Sequence, residues 1–306
     1  MIETSSNSFR SGFVALIGRP NVGKSTLMNA LLGTKVAAVS RWPQTTRKRQ
    51  MGILTLEEAQ IVFVDTPGVH NPFHKLGELM NQEAVDVLEE SDMILFLVDI
   101  SQPPAGEDRL IVGLLSALKR SIPILMALNK ADLVDEKTLE EHRSAFEELL
   151  PRVQSVPISS TNGENLDQLV AEIRDRLPES PPFFPGDQLT DLYEREIAAD
   201  LVREAILENL RAEVPHSIAI RIDEYREREQ TGAYIAATLF VERESQKGIV
   251  IGQGGDMLKK IGTTARQKIE AMNGRDVYLK IRVKVRKNWR NDESALKLFG
   301  FSTPKD

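Results

Sequence analysis

Short apolar runs alternate with longer amphipathic stretches along residues 12–177 of the chain. The runs are apolar on both faces, as the buried strands of a parallel sheet require, and they lie at residues 13–17, 61–64, 93–98, 122–128 and 155–158. Helical periodicity marks the stretches at residues 24–32, 75–90, 108–120, 137–150 and 166–177. This alternation predicts a doubly wound α/β domain with helices on both faces of the sheet. Residues 49–56 predict one further strand, which reverses at Glu57-Glu58 and adds an antiparallel edge hairpin.

A second domain follows a proline-rich break. Residues 180–185, SPPFFP, end any helix and favour an extended, semi-rigid connection. The pattern then predicts a helix over 191–211, strands over 217–222 and 234–241, a glycine-rich turn, a helix over 256–272 and a strand over 277–285. This order predicts a small α+β domain. We therefore divide the chain into a polar N-terminal tail 1–10, an α/β domain 11–178, a linker 179–190, an α+β domain 191–290 and a C-terminal tail 291–306.

Composition agrees with two globular domains. The chain has 306 residues, of which 41% are hydrophobic and 27% are charged. No apolar run approaches the roughly 20 residues of a membrane-spanning helix, and the polar N-terminus has no secretion signal. We therefore expect a cytoplasmic protein. The absence of cysteine excludes disulfides, thiolate metal sites and thiol catalysis.

The net charge of −6 conceals one basic block. Residues 245–290 contain twelve Lys or Arg residues and three acidic residues, a local charge of +9. A localised block of this kind indicates contact with a polyanion.

Residues 18–25, GRPNVGKS, match the phosphate-binding pattern G-x-x-x-x-G-K-[ST] and stand between a predicted strand and a predicted helix. In such a P-loop the backbone N–H groups surround phosphate oxygens, the lysine reaches the β and γ phosphates, and the serine hydroxyl binds Mg²⁺. We predict nucleotide contacts from Gly18, Asn21, Val22, Gly23, Lys24, Ser25 and Thr26.

Residues 65–68, DTPG, follow the next apolar strand. Asp65 leaves the carboxyl end of that strand, where open α/β sheets bind ligands. Its carboxylate can hold Mg²⁺ through water, and the amide of Gly68 can meet the γ-phosphate. Alone the tetrapeptide is a common turn, but after a P-loop it predicts a second nucleotide segment made of Asp65, Thr66, Pro67 and Gly68.

Residues 129–132, NKAD, predict selectivity for guanine. The carboxylate of Asp132 can accept from both the N1–H and the 2-amino group of guanine, whereas adenine has no N1 donor. Asn129 is expected to brace the loops and the Lys130 stem to lie on the purine. Ser159, Ser160 and Thr161 give a weaker signal, in which a backbone N–H, preferably that of Ser160, meets the guanine carbonyl.

The polar segment 43–47, PQTTR, lies between the first two motifs and is placed as a switch. Thr46 or Thr45 can close over Mg²⁺ and the γ-phosphate when the triphosphate is bound. We prefer Thr46, so the predicted metal ligands are Ser25, Thr46 and Asp65.

These motifs, GRPNVGKS, QTTR, DTPG, NKAD and SST, resemble in order and spacing the translation-factor-like P-loop GTPases, specifically the Era branch. In Ras-type enzymes a water-positioning glutamine follows the glycine of DTPG, whereas Val69 stands here, so we expect slow intrinsic hydrolysis. The resemblance also implies an activating K⁺ held with the help of Asn21; the alternative is that Asn21 is a turn residue. The catalytic residues implied are Lys24, Thr46, Asn21 and Gly68.

The basic block contains a second motif. Residues 252–255, GQGG, fit a GXXG loop, in which glycines let nucleic-acid phosphates come close. The GXXG loop alone is weak evidence for nucleic-acid binding. The following strand, however, alternates apolar residues with four cations. These cations form a row that is either a solubilising face or a phosphate-tracking surface. The predicted RNA contacts are Gly252, Gln253, Gly254, Gly255, Lys259, Lys260, Arg266, Lys280, Arg282, Lys284 and Arg286. We also expect Lys268 to face solvent or phosphate.

Residues 191–290 resemble a type II KH domain, and GIVIGQGGDMLKKIG together with VYLKIRVKVRKNWR is similar to the Era version. The resemblance implies hydrolysis of GTP to GDP and phosphate, binding to the 3′ end of small-subunit ribosomal RNA, action in 30S assembly, and peripheral contact with the inner membrane surface. We expect a monomer that does not bind DNA. Two alternatives remain: a structural RNA-binding factor that GTP only locks in one conformation, and a GTPase whose basic domain binds anionic membrane.

Overall fold

A computed structural model of the chain describes residues 8–38, 47–69, 72–191, 194–228 and 232–301. The chain divides into two compact units. The first unit contains a six-stranded sheet, and the second contains a three-stranded sheet. Among the described residues, no helix combines the length and the apolar character needed to cross a membrane.

The six-stranded sheet confirms the predicted α/β domain. Its strands are β1 (Arg10–Ile17), β2 (Gln50–Thr55), β3 (Ala59–Asp65), β4 (Met93–Asp99), β5 (Ile124–Asn129) and β6 (Gln154–Pro157). The helices along this part of the chain are α1 (Lys24–Leu32), α2 (Lys75–Glu90), α3 (Gly106–Ser116), α4 (Glu136–Leu149) and α5 (Leu166–Arg174).

The strand order is β2-β3-β1-β4-β5-β6. All neighbours are parallel except β2 and β3, which form the predicted antiparallel edge hairpin. Every residue of β3 and β4 is buried, because helices cover both faces of a doubly wound sheet. The carboxyl ends of β1, β3, β4 and β5 therefore meet at one edge, where such sheets bind ligands.

The proline-rich segment is tied to the first unit along its length. The side-chain amide oxygen of Gln60 accepts from the backbone N–H groups of Phe183 (2.7 Å) and Phe184 (3.0 Å). The ring of Phe183 lies 5.0 Å from that of Phe13. Further along, the Thr190 hydroxyl donates to the carbonyl of Met51 at 2.7 Å. The extended connection that the prolines predict is thus held against the sheet by side chains that the local pattern does not identify.

The second unit is the predicted α+β domain with two added helices. It consists of α6 (Glu194–Asn209), β7 (Ala219–Arg228), β8 (Gly232–Val241), α7 (Glu244–Ile251), α8 (Asp256–Asn273), β9 (Val277–Val285) and α9 (Glu293–Leu298). Strands β7 and β8 are antiparallel, whereas β8 and β9 are parallel. A parallel pair needs a crossover connection, and α7 and α8 supply it. Apolar residues of α6 and α8 form the core with one face of this sheet.

The apolar stretch near the C-terminus packs on the second unit. Trp289 is fully buried and donates its indole N–H to the carbonyl of Ser217 at 2.7 Å. Phe299 meets Trp289 edge-on, with ring centroids 5.4 Å apart, and lies 4.9 Å from Phe240. Phe299 and Phe301, which lie in a stretch to which the sequence assigned no role, are thus buried at one end of the domain.

Candidate nucleotide and RNA sites

The P-loop joins β1 to α1 and leaves the start of the helix open. Gly23 precedes the helix at φ +105°, and a Cβ there would lie 2.4 Å from Nδ2 of Asn129. A side chain is therefore excluded by both backbone conformation and space. No side chain caps the helix, so its first N–H groups remain directed at the loop, where they can bind an anion.

Lys24 is held over the loop by backbone oxygens. Its ammonium donates to the carbonyls of Gly18 (2.9 Å) and Arg19 (3.3 Å). Burial lowers the pKa of Lys24, and the negative charge of Asp65 opposes that effect. A buried cation at a helix N-terminus is suited to bind the β and γ phosphates. Thr26 follows in the first turn of α1 and is half-buried.

Ser25 and Asp65 meet as the sequence predicts. The Ser25 hydroxyl donates to Oδ2 of Asp65 at 2.6 Å, and Asp65 is fully buried at the end of β3. A hydroxyl and a carboxylate oxygen in contact are the oxygen ligands that Mg²⁺ takes beside a nucleotide. The residues present therefore fit Mg²⁺.

The rest of DTPG has separate roles. The Thr66 hydroxyl donates to the carbonyl of Leu16 at 2.8 Å and is buried, so its side chain ties β3 to β1. Pro67 is buried. Gly68 lies against the P-loop, because a Cβ there would approach Pro20 Cγ to 3.1 Å. Val69 is buried in the apolar core, so its side chain can neither reach nor orient a water molecule.

Asn129 connects the P-loop to the loop after β6. Its Nδ2 donates to the carbonyl of Val22 at 2.7 Å. Its Oδ1 accepts from the N–H (3.0 Å) and the hydroxyl (2.9 Å) of Ser160. The bracing role predicted for Asn129 is thus seen directly. The Ser160 N–H, predicted to meet the guanine carbonyl, is instead used by Asn129, because both belong to loops that leave adjacent strands.

The remaining base-reading residues stand at the surface. Asp132 is exposed in a short 3₁₀ turn, and no described residue donates to its carboxylate. Ser159 is buried, and its hydroxyl accepts from the N–H of Asn162 at 3.1 Å, which closes the loop. Thr161 is exposed beside it. Asp132 is therefore free to accept hydrogen bonds from a base.

The sequence interpretation missed a charged network between these motifs. The Lys130 ammonium bonds Oδ2 of Asp99 at 2.5 Å. The Arg19 guanidinium of the P-loop lies 3.9 Å from Asp99 and 3.4 Å from Asp108, which is buried at the start of α3. Asp99 ends β4 as Asp65 ends β3, and this position after an apolar run was the available signal. Burial alone would raise the pKa of Asp99, but hydrogen bonds from Lys130 and Ser101 lower it below its ordinary value.

The predicted switch threonines, Thr45 and Thr46, lie outside the described residues. Asn21 is exposed at φ +66°. This left-handed conformation is what a turn residue adopts, and it leaves a K⁺ role for Asn21 untested.

The GXXG loop lies between α7 and α8. Gly252, Gly254 and Gly255 all have positive φ, and Gln253 and Gly254 are exposed. A Cβ at Gly254 would have no heavy atom within 4 Å, so the space beside it is open to a ligand.

The cations of α8 differ in how they are paired. Lys259 and Lys260 are exposed, and no described residue pairs with either of them. Arg266 lies 3.7 Å from Glu270. Lys268, which we expected to face solvent or phosphate, is half-buried and bonds Glu204 (2.6 Å) and Glu208 (2.8 Å). That expectation was wrong, because the carboxylates come from α6, distant in sequence.

Strand β9 alternates as predicted. Lys280, Arg282 and Lys284 are exposed, while Arg286 is half-buried. Arg282 pairs with Asp223 at 3.2 Å, and Arg286 pairs with Asp292 at 3.1 Å. Lys280 and Lys284 have no acidic partner among the described residues.

The cations of β9 and the GXXG loop do not lie on one surface. Leu279, Ile281 and Val283 of β9 pack against the core that includes Ile261 and Ala265 of α8. Because side chains alternate along a strand, the cations point to the face of the sheet opposite α8. The domain therefore presents two separate basic surfaces, one at the GXXG loop and one along β9.

Comparison with known proteins assigns both units. A family model described as a 50S ribosome-binding GTPase matches residues 13–130, and a KH domain model matches residues 213–290. The GTPase Era of Geobacter metallireducens is 45% identical over 97% of this chain and 100% of its own length. That of Heliobacterium modesticaldum is 44% identical over 95% of this chain and 97% of its own.

Two solved structures are similar to this chain over nearly its whole length. An Era structure in complex with MgGDPNP and nucleotides 1506–1542 of 16S ribosomal RNA has a TM-score of 0.90 at 40% identity, covering 96% of this chain and 100% of the other. A variant of Aquifex aeolicus Era bound to GDP·AlF4⁻ has a TM-score of 0.89 at 40% identity, with the same coverage. The chain therefore belongs to the Era family of GTPases and is a GTPase.

Proposed function

We propose that the first unit hydrolyses GTP to GDP and phosphate, and that the second unit binds the 3′ end of small-subunit ribosomal RNA in 30S assembly. The observation that carries this proposal is the similarity over nearly the whole chain to an Era structure that holds MgGDPNP and nucleotides 1506–1542 of 16S ribosomal RNA. In this chain the same two parts are a P-loop with an exposed guanine-reading carboxylate and a GXXG loop with open space beside it.

Different residues of the first unit bind the phosphates, the base and Mg²⁺. Lys24 and the N–H groups at the start of α1 bind the β and γ phosphates, and Asp132 reads the base. Ser25 and Asp65 hold Mg²⁺, with Thr46 or Thr45 added from the switch segment. Bound Mg²⁺ neutralises charge that develops on the phosphates as water attacks the γ-phosphorus and GDP leaves.

The side chain after DTPG does not position the attacking water, because Val69 is buried. We therefore propose that Asn21 helps to hold an activating K⁺. This ion would supply positive charge beside the phosphates.

We infer that the protein acts in the cytoplasm with the assembling 30S subunit. Peripheral contact with the inner membrane surface, a monomeric state and the absence of DNA binding stay predictions. The domain limits at 11–178 and 191–290 are part of the same proposal.

The direct test measures binding of the purified full-length protein to an RNA carrying the 3′-terminal small-subunit sequence, with a non-hydrolysable GTP analogue or with GDP. We expect tighter binding with the GTP analogue and a steady release of phosphate from GTP. A poly(U) RNA of equal length is the control for non-specific electrostatic binding. Equal binding in the two nucleotide states would contradict coupling, and equal binding to both RNAs would contradict the assigned partner.

A further inference from the structure

Two tyrosines stack on the face of the three-stranded sheet that points away from α8. Tyr234 of β8 and Tyr278 of β9 stand opposite each other in the parallel register. Their rings are 5.7 Å apart and within 10° of parallel. Tyr278 is 63% exposed although it is a large aromatic residue in the middle of a domain.

The same sheet face is covered at its other end. There Phe240 of β8, which stands opposite Lys284, packs under Phe299 from the C-terminal segment. No segment of the described chain covers the Tyr278 ring in this way. Aromatic side chains that remain exposed and stacked are a common feature of surfaces that bind unpaired bases.

The charge beside the pair is positive. Lys280 follows Tyr278 by two residues and so projects from the same face, about 7 Å further along the strand. Lys284 continues the line and, like Lys280, has no acidic partner among the described residues. Arg282 between them is held by Asp223 at 3.2 Å. We call the set of Tyr234, Tyr278, Lys280 and Lys284 the tyrosine face.

We propose that the tyrosine face is a second RNA surface, on which Tyr278, supported by Tyr234, stacks with an unpaired base while Lys280 and Lys284 contact flanking phosphates. This inference rests on the proposed function, since it names a further part of the RNA site. It is distinct from the GXXG loop, because the loop joins helices that pack on the opposite side of the sheet.

A single-stranded RNA fits this surface better than a membrane does. One exposed ring with unpaired ammonium groups spaced along a strand matches one base and its neighbouring phosphates. Membrane binding relies on a broad apolar face in addition to positive charge, and the neighbouring residues of the exposed row are Lys and Arg.

The test uses full-length Tyr278→Ala, Tyr278→Phe, Lys280→Ala and Lys119→Ala proteins and the 3′-terminal small-subunit RNA. We expect Tyr278→Ala to weaken binding about 5- to 150-fold, the range for losing one base–aromatic stack. Tyr278→Phe keeps the ring and should bind within about twofold of the wild type. Lys280→Ala should reduce the slope of log affinity against log salt by about one. Lys119, which follows α3 in the first unit, is an exposed lysine outside the second unit, so Lys119→Ala should leave the slope unchanged.

Circular dichroism and GTP affinity, measured on every variant, report whether each is folded. Wild-type RNA affinity in folded Tyr278→Ala would overturn the tyrosine face and leave the proposed function standing. Failure of the wild-type protein to bind the RNA would overturn both. Loss of binding to phosphatidylserine vesicles in Tyr278→Ala, with RNA binding intact, would assign the surface to membrane and overturn the inference.

Discussion

A single carboxylate, that of Asp132, carries the selectivity for the base. It is exposed and accepts no hydrogen bond from the described residues, so guanine can bind it through both the N1–H and the 2-amino group. Asp132→Asn replaces one acceptor oxygen with a donor and should shift preference from GTP to xanthosine triphosphate. Each hydrogen bond to a charged group contributes about 1.5–3 kcal/mol, so GTP affinity should fall by roughly tenfold or more. Competition binding of the two nucleotides measures the change, and unchanged GTP affinity would contradict the role.

Asn21 provides a second test at the scale of one residue. With Val69 buried, transition-state charge on the phosphates must be neutralised by other groups. We expect faster GTP hydrolysis in potassium than in sodium buffer of equal ionic strength, and we expect the difference to disappear in Asn21→Ala. Phosphate release under single-turnover conditions measures both rates. Equal rates for the wild type in the two salts would show that Asn21 is only a turn residue.

The sequence predicted the residues whose role depends on local spacing, and it missed those whose partners are distant. Ser25 and Asp65 could be paired from sequence because the P-loop follows β1 and Asp65 ends β3 at the same edge of the sheet. The contacts of Arg19 with Asp99 and Asp108 depend on where β4 and α3 bring their ends, which no local pattern states. The predicted use of the Ser160 N–H differed from the structure for the same reason.

At the scale of elements, Asp99 joins the end of β4 to the loop after β5 through Lys130. The pKa of Asp99 is lowered in the folded state, so its carboxylate stabilises the fold at pH values above the ordinary Asp pKa of about 3.8. This stabilisation is lost as the pH falls through the lower pKa that Asp99 has in the folded state. Asp99→Asn should therefore lower the free energy of unfolding by about 1–3 kcal/mol at about pH 7, with a deficit that shrinks below the ordinary Asp pKa.

Urea unfolding of the wild type and of Asp99→Asn between neutral pH and a pH below the ordinary Asp pKa measures that deficit. Asp135→Asn is the control for GTP affinity, because that carboxylate caps α4 on the surface and touches neither nucleotide motif. GTP affinity should fall in Asp99→Asn and not in the control. A deficit that stays constant with pH would show that the Asp99 charge does not stabilise the fold.

Elements with strong periodicity were predicted well, and short ones were not. The bounds of β9 agree with the prediction because apolar residues occupy every second position along it, alternating with Tyr278 and three cations. Helices α7 and α9 were not predicted, since eight and six residues carry too little periodicity to mark a helix. The alternation of β9 also shows that its cations share one face, but only the packing of α8 shows that this face lies away from the GXXG loop.

At the scale of the whole molecule, an acidic chain carries one basic block, at residues 245–290 of its second domain, and the two activities should be separable. Gly254→Asp tests this. Gly254 has φ +61°, a conformation that Asp tolerates better than most residues, and a Cβ there meets no heavy atom within 4 Å. The variant should therefore fold. Its carboxylate would stand where a phosphate approaches and repel it, so RNA affinity should fall by roughly tenfold or more while GTP affinity and the basal rate of hydrolysis remain unchanged.

Gly254→Asn is the matched control, because it has nearly the same shape without the charge and should retain more RNA affinity than Gly254→Asp. RNA binding at several salt concentrations, GTP affinity and circular dichroism are measured on both proteins. Because the tyrosine face lies on the opposite side of the sheet, the RNA binding that remains in Gly254→Asp should still depend on salt. Wild-type RNA affinity in a folded Gly254→Asp protein would show that residues 252–255 are only a turn, and the KH assignment of RNA contacts to this loop would then be wrong.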